Sequence, residues 1–231
     1  MPVYSLASLT WTAVRELPAA RTVAVLPAGA IEAHGPHLPL ATDVIIAEAM
    51  ARAGAGRLAA RGLHVLVLPA LTIAPAPFAA EFAGTLDVPP EATTMIVGAV
   101  LQNLAAHGCR AAAIANAHHD PAHVAALRRA VSEANQSAAL AVVFPDLTRR
   151  RWAERLTAEF RSGACHAGRY ETSIVLAERP DLVRTDVMAT LASASAGRVS
   201  VIPCSSRGPS SRAMVSATRW AGTAGGRDSS S

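Results

Sequence analysis

At 231 residues, 51% hydrophobic and 16% charged, the chain is long enough to bury one substantial core. Its net charge of +4 and pI of about 9.6 rest on arginine alone, with one dense cluster at Arg149-Arg150-Arg151 and no basic stripe interleaved with aromatics, which argues against nucleic-acid binding. No apolar run reaches the roughly 18 residues of a membrane span. The N-terminus has no leader pattern, and three scattered cysteines without a CxxC pair fit a reducing cytoplasm.

Short β-branched runs alternate with longer Ala-rich stretches, the pattern of βα units around a mostly parallel sheet. Thr22 to Pro27 reads as a strand, and Asp43 to Ala60 as a helix capped by Thr42 or Asp43. His64 to Pro69 is a second strand, followed by a long loop from Ala70 to Val88. Pro89-Pro90-Glu91 opens a helix that runs to about His107 and ends at Gly108. Arg110 to Asn116 is a strand, Pro121 to Ala134 a helix and Leu140 to Phe144 a strand. One helix is expected from about Arg149 to Phe160, and another from about Tyr170 to Glu178 after a Gly-rich turn. The expectation is a single layered α/β/α domain over 1–188. From 189 to 231 Ser, Ala, Gly and Arg dominate, which reads as a divergent, disordered tail.

Chemistry concentrates where strands end. The segment after the first strand carries Glu32 and His34, whose two-residue spacing puts both side chains on one face of extended backbone. Asp43, at the start of the next helix, is close enough to return to the same pocket. The third strand ends in Asn116-Ala-His118-His119-Asp120-Pro121, again a histidine and a carboxylate two apart. Ligands in doubly wound sheets bind at the carboxyl ends of strands. Imidazole and carboxylate together suit zinc, manganese or iron. Clustered carboxylates without a cation would repel one another. A third segment, Cys165-His166-Ala-Gly-Arg-Tyr-Glu171, offers His166 as a general acid/base with Glu171 as its orienting partner. His119 is the further histidine expected to touch substrate. Gly54-Ala-Gly56 falls inside a predicted helix, so it is not a dinucleotide fingerprint.

These segments together resemble the creatininase family of amidohydrolases. The family's "G-x-x-E-x-H-G-P-H-L-P-L-x-T-D" reads GAIEAHGPHLPLATD here, its "N-G-H-x-x-N" turn reads NAHHDP, and its "H-A-G-x-x-E-T-S" is intact as HAGRYETS. The resemblance covers roughly residues 8 to 185. It implies two divalent metal ions held by Glu32, His34, Asp43, His118 and Asp120, with Asp43 bridging and Asp120 standing where the family has a longer Glu. It also implies a catalytic role for His166 beside Glu171, an amide substrate, and a homo-oligomer such as a hexamer. Creatinine, a formamidopyrimidine-type metabolite, a short modified peptide or a cyclic ketone are the candidate substrates. The loop reads APAPFAAE where the family has "Y-G-x-S-x-E-H", and the closing "G-D-P-x-x-A-T" is missing. These departures motivate a second reading, a non-catalytic member that binds a metabolite or partner.

Overall fold

The computed structural model describes residues 1–137, 139–161 and 166–194. Five strands form one parallel sheet in the order β1-β3-β2-β4-β5: β1 (Val3–Ser5), β2 (Thr22–Ala28), β3 (His64–Val67), β4 (Ala111–Asn116) and β5 (Ala141–Val143). The long helices are α2 (Thr42–Ala60), α3 (Pro90–Ala106) and α4 (Pro121–Gln136). Shorter ones are α1 (Trp11–Arg15), α5 (Arg150–Ala153), α6 (Ala158–Arg161), α7 (Arg169–Glu178) and α8 (Thr185–Ala194).

The central strand shows how the layers arise. Along β2, Ala24, Leu26 and Ala28 point to one face and pack with Val97 and Leu101 of α3 and Leu127 of α4. Val25 points to the other face, against Ala51, Ala55 and Ala59 of α2. Successive side chains on a strand alternate faces, so a run apolar at nearly every position must be covered on both sides. The small alanines of α2 let that helix lie close to the sheet. Full burial of a side chain such as Leu101 or Ile114 stabilises the fold by about 1.5–3 kcal/mol each. No helix among the described residues is long and apolar enough to cross a membrane.

Four details differ from the sequence expectation. The edge strand β1 and the helix α1 are additional; both are short, and β1 is set by pairing with β3 rather than by its own pattern. The helix expected over 149–160 is two short helices, and Thr157 starts the second by accepting from Phe160 N at 3.3 Å. Helix α2 is capped by Ala41 rather than Thr42 or Asp43. The Thr42 hydroxyl instead donates to the carbonyl of Pro39 at 2.7 Å, and the Asp43 carboxylate faces two histidines. Finally, α8 continues to Ala194, past residue 189, and the rest of the expected tail lies outside the described residues.

Strand β2 pairs with β3 on one side and β4 on the other. The chain leaves β2 through α2 towards β3 and returns to β4 across the sheet. The connection reverses between β2 and β4, which creates a crevice beyond their carboxyl ends.

Candidate metal centre

That crevice is where the histidines and carboxylates meet. Glu32 and His34 lie on the segment after β2, Asp43 is the second residue of α2, His118 follows β4, and Glu171 sits in the first turn of α7. The step from β2 to α2 depends on Gly29. A Cβ there would stand 2.6 Å from Val44 N and 2.7 Å from the Asp43 carbonyl carbon, so only glycine lets the start of α2 come near enough to deliver Asp43.

The long loop expected over 70–88 buttresses the site through its backbone and the Thr85 hydroxyl. Gly29 N donates to Leu71 O at 2.9 Å, Leu86 N to Ile31 O at 2.9 Å, and Ala33 N to Thr85 Oγ1 at 3.1 Å. After β4, Asn116 Nδ2 donates to the carbonyl of His118 at 2.6 Å, and Asn116 Oδ1 lies 2.9 Å from His123 Nε2. That amide fixes the turn that presents His118.

Three histidines share one arrangement. A carbonyl oxygen only accepts, so the ring nitrogen facing it is the N–H donor. His34 Nδ1 donates to Glu32 O at 3.2 Å, His118 Nε2 to Pro75 O at 2.7 Å, and His166 Nε2 to Ala33 O at 2.9 Å. Each ring therefore turns its other nitrogen towards carboxylates. His34 Nε2 lies 3.1 Å from Asp43 Oδ1, His118 Nδ1 lies 2.9 Å from Asp43 Oδ2 and 3.0 Å from Glu32 Oε1, and His166 Nδ1 lies 3.7 Å from Glu32 Oε1. Metal-ligating histidines are held in this way, with the second nitrogen anchored to a carbonyl or carboxylate.

The donors form three overlapping groups within 4.8 Å: Glu32 with Asp43 and His118, His34 with Asp43 and Glu171, and Glu32 with His34 and His166. Asp43 belongs to two of them and offers a different oxygen to each histidine. Glu32, Asp43 and Glu171 are 4%, 1% and 2% exposed, and every ion pair they make among the described residues is to a histidine. Three buried carboxylates with no arginine paired to them among the described residues suit a cation. The donor set therefore fits divalent metal ions.

The electrostatics follow. Burial alone lowers a histidine, but Asp43, Glu171 and Glu32 outweigh it and raise His34 from 6.5 to about 10. His118 is likewise raised well above 6.5, against burial, by its bonds to Asp43 and Glu32. Burial favours protonated Asp43, yet His34 and His118 hold it well below 3.8. Glu171 is pushed up to about 8 by burial, with the Asp43 and Glu32 charges adding to it. His166 is lowered by burial and by His34.

Asp120 stands apart from the three groups. It is the N-cap of α4, its Oδ1 accepting from Ala122 N at 2.7 Å and His123 N at 3.3 Å, while Oδ2 is buried without a hydrogen-bond partner. His119 presents two buried ring nitrogens without partners and lies edge-on to Phe160 at 5.3 Å. Sequence reading paired Glu171 with His166 alone and did not place it beside His34, at 3.7 Å. Only tertiary packing brings those two segments together.

A family model described as creatinine amidohydrolase matches residues 7–228. A mycofactocin precursor peptide peptidase of Mycobacterium tuberculosis is 34% identical over 176 residues, 74% of this chain, and that of Mycobacterium ulcerans is 31% identical over 175 residues. The chain spans 64% of the length of these relatives. Among solved structures, a creatinine amidohydrolase superposes with a TM-score of 0.64 at 29% identity, over 79% of this chain and 74% of that one. A mutant creatininase of Zn-Zn type gives 0.64 at 26% identity, over 80% and 76%. A manganese creatininase gives 0.63 at 27%, over 80% and 76%. With the family match spanning nearly its whole length, this chain belongs to the creatininase family of hydrolases.

Proposed function

We propose that the protein is a metal-dependent hydrolase that cleaves an amide C–N bond, with Glu32, His34, Asp43, His118 and Glu171 as the principal donors for two divalent ions such as zinc or manganese. The observation that carries this reading is the shared orientation of His34 and His118, each anchored at one nitrogen by a backbone carbonyl and open at the other towards buried carboxylates. Bound divalent ions would supply Lewis-acid polarisation of the amide carbonyl and acidify the attacking water.

The chain's own residues supply the rest. His34 and His118 stay fixed in one tautomer and one orientation. The segment 31–33 is pinned by Leu86 and Thr85, which gives the site rigid walls. His166 is the most open of these groups, its side chain 26% exposed against 5% or less for its neighbours Glu32, His34, Asp43, His118 and Glu171. Substrate therefore approaches on its side. With Nε2–H committed to Ala33, Nδ1 is the atom left to carry a proton to the departing nitrogen.

Two kinds of amide follow from the relatives. The mycobacterial proteins are named for a precursor-peptide substrate, which favours a peptide bond. The creatininase structures favour a small cyclic amide.

The test is elemental mass spectrometry on protein purified without chelator, followed by incubation with short peptides and cyclic amides and detection of newly released amine. The expected result is about two ions per chain and amine release that chelation abolishes and zinc or manganese restores. Protein that holds no metal and cannot be loaded would support the non-catalytic reading instead.

A further inference from the structure

The chain that leaves β5 carries an uneven set of charges to the same edge of the sheet as the metal centre, because β5 runs parallel to β4 and β4 to β2. Between Asp146 and Arg155 four arginines stand against two carboxylates. We infer that the segment 149–155 binds an acidic stretch of the substrate, which makes the amide that is cut part of an acidic peptide. The inference rests on the metal-dependent hydrolase reading above and names its substrate class.

The pairing of these charges leaves two cations over. Asp146, 4% exposed, is shared by Arg128 at 2.5 Å and Arg149 at 3.4 Å, and Glu154 pairs with Arg150 at 2.6 Å. Among the described residues Arg151 and Arg155 meet no carboxylate. Both lie instead against one indole, their guanidinium carbons 4.7 Å and 5.7 Å from the centre of the Trp152 ring. A guanidinium held by an aromatic ring keeps N–H groups free for a carboxylate, which it grips with two parallel hydrogen bonds. Two like charges beside one ring also repel, and an anion between them relieves that. Arginine and tryptophan are the side chains enriched where binding energy concentrates.

The placement ties this pair to the centre. Beyond α5 the chain enters α6, whose Phe160 lies edge-on to His119 at 5.3 Å and to Tyr170 at 5.1 Å. Those two are the sequence neighbours of His118 and Glu171. Glu159 accepts from Arg169 N at 3.0 Å and Tyr170 N at 2.9 Å, which fixes the start of α7. A Cβ on Gly168, two residues after His166, would stand 3.0 Å from Glu159 Oε1. The arginine segment thus runs directly into the wall beside His166, the side from which substrate approaches. Neither Arg151 nor Arg155 belongs to a donor group. A substrate that meets them must therefore extend past the bond that is cut, as a peptide does and a single small ring does not.

Fluorescein-labelled hexaglutamate, hexaglutamine and a ten-residue oligothymidylate are titrated by anisotropy against the metal-loaded full chain. The double variant Arg151→Gln/Arg155→Gln is compared with Arg57→Gln/Arg61→Gln, which removes the same charge at the far end of α2, with thermal melts as the folding control. Wild type and the α2 variant are expected to bind hexaglutamate at least tenfold more tightly than the Arg151/Arg155 variant does, and hexaglutamine weakly in all three. Unlabelled hexaglutamate is expected to inhibit amine release competitively in wild type and at least tenfold less well in the Arg151/Arg155 variant. Equal affinity in the three proteins, tighter binding of the oligothymidylate, or binding without inhibition would overturn the inference and leave the hydrolase reading standing. Wild type that takes up no metal and releases no amine would overturn that reading, and the substrate class with it.

Discussion

His166 donates from Nε2 to the carbonyl oxygen of Ala33 across 2.9 Å, and that one bond leaves Nδ1 as the ring nitrogen turned towards the carboxylates. Nδ1 faces Glu32 Oε1 at 3.7 Å, and the pKa of the ring is held below 6.5 by burial and by His34. Replacing it as His166→Gln should lower kcat by about 10²–10⁴-fold, the usual share of a positioned acid/base, with KM and metal content unchanged. Steady-state kinetics on whichever amide the screen identifies, with ions counted in parallel, checks this. A loss of under threefold would remove His166 from the chemistry.

Asp43 turns one oxygen to His34 and the other to His118. Asp43→Asn preserves the shape but withdraws the shared charge. The expected outcome is loss of at least one metal equivalent with the fold retained, read by elemental analysis and circular dichroism. Wild-type metal content in that variant would sink the bridging role.

The metal-free protein should lose stability as pH rises. His34, raised to about 10, and His118, raised well above 6.5, contribute stability that is complete below the unfolded value of 6.5 and is lost on climbing towards 10. Asp43, held low, works in the opposite direction: its contribution is present above 3.8 and is lost as pH falls. Metal ions need neutral imidazoles, so uptake at pH 7 should expel more than one proton per chain. Calorimetric titration in two buffers of different ionisation enthalpy measures that number. A value near zero would contradict the protonated histidines.

Gly29 tests the scaffold. A methyl group there meets backbone atoms of Asp43 and Val44 below 3.0 Å, and neither backbone atom moves without shifting the start of α2. Gly29→Ala should destabilise the protein by about 1–3 kcal/mol, the range for overpacking. It should also weaken metal binding at least tenfold. Gly54→Ala, which faces open space within α2, is the control and is expected to leave metal binding unchanged.

Most of the sheet was legible because alternating short apolar runs and alanine-rich helices have one economical arrangement, and the ends of β2, β4, α3 and α4 fall within two residues of the sequence boundaries. The segments that carry Glu32, His34 and His118 were legible for the same reason, since each follows the end of a strand. What could not be read was side-chain commitment. Asp120-Pro121 carried its capping signal openly beside its place in the carboxylate motif, and in the structure Oδ1 caps α4 while Oδ2 stays unpartnered. Glu171 gave no signal towards His34, because the contact exists only once α7 packs beside α2. The loop over 70–88 looked structureless because its bonds to Gly29, Ile31 and Ala33 fall on aperiodic sequence.

The donors of this centre come from three separate stretches, around residues 32–43, at 118 and at 171. Ions held among them would act as clasps across most of the chain. At one hundred times its dissociation constant, such an ion adds about 2.7 kcal/mol to the folding free energy. Metal supply would then govern how long the protein survives proteolysis, and a cell starved of metal would lose the protein itself.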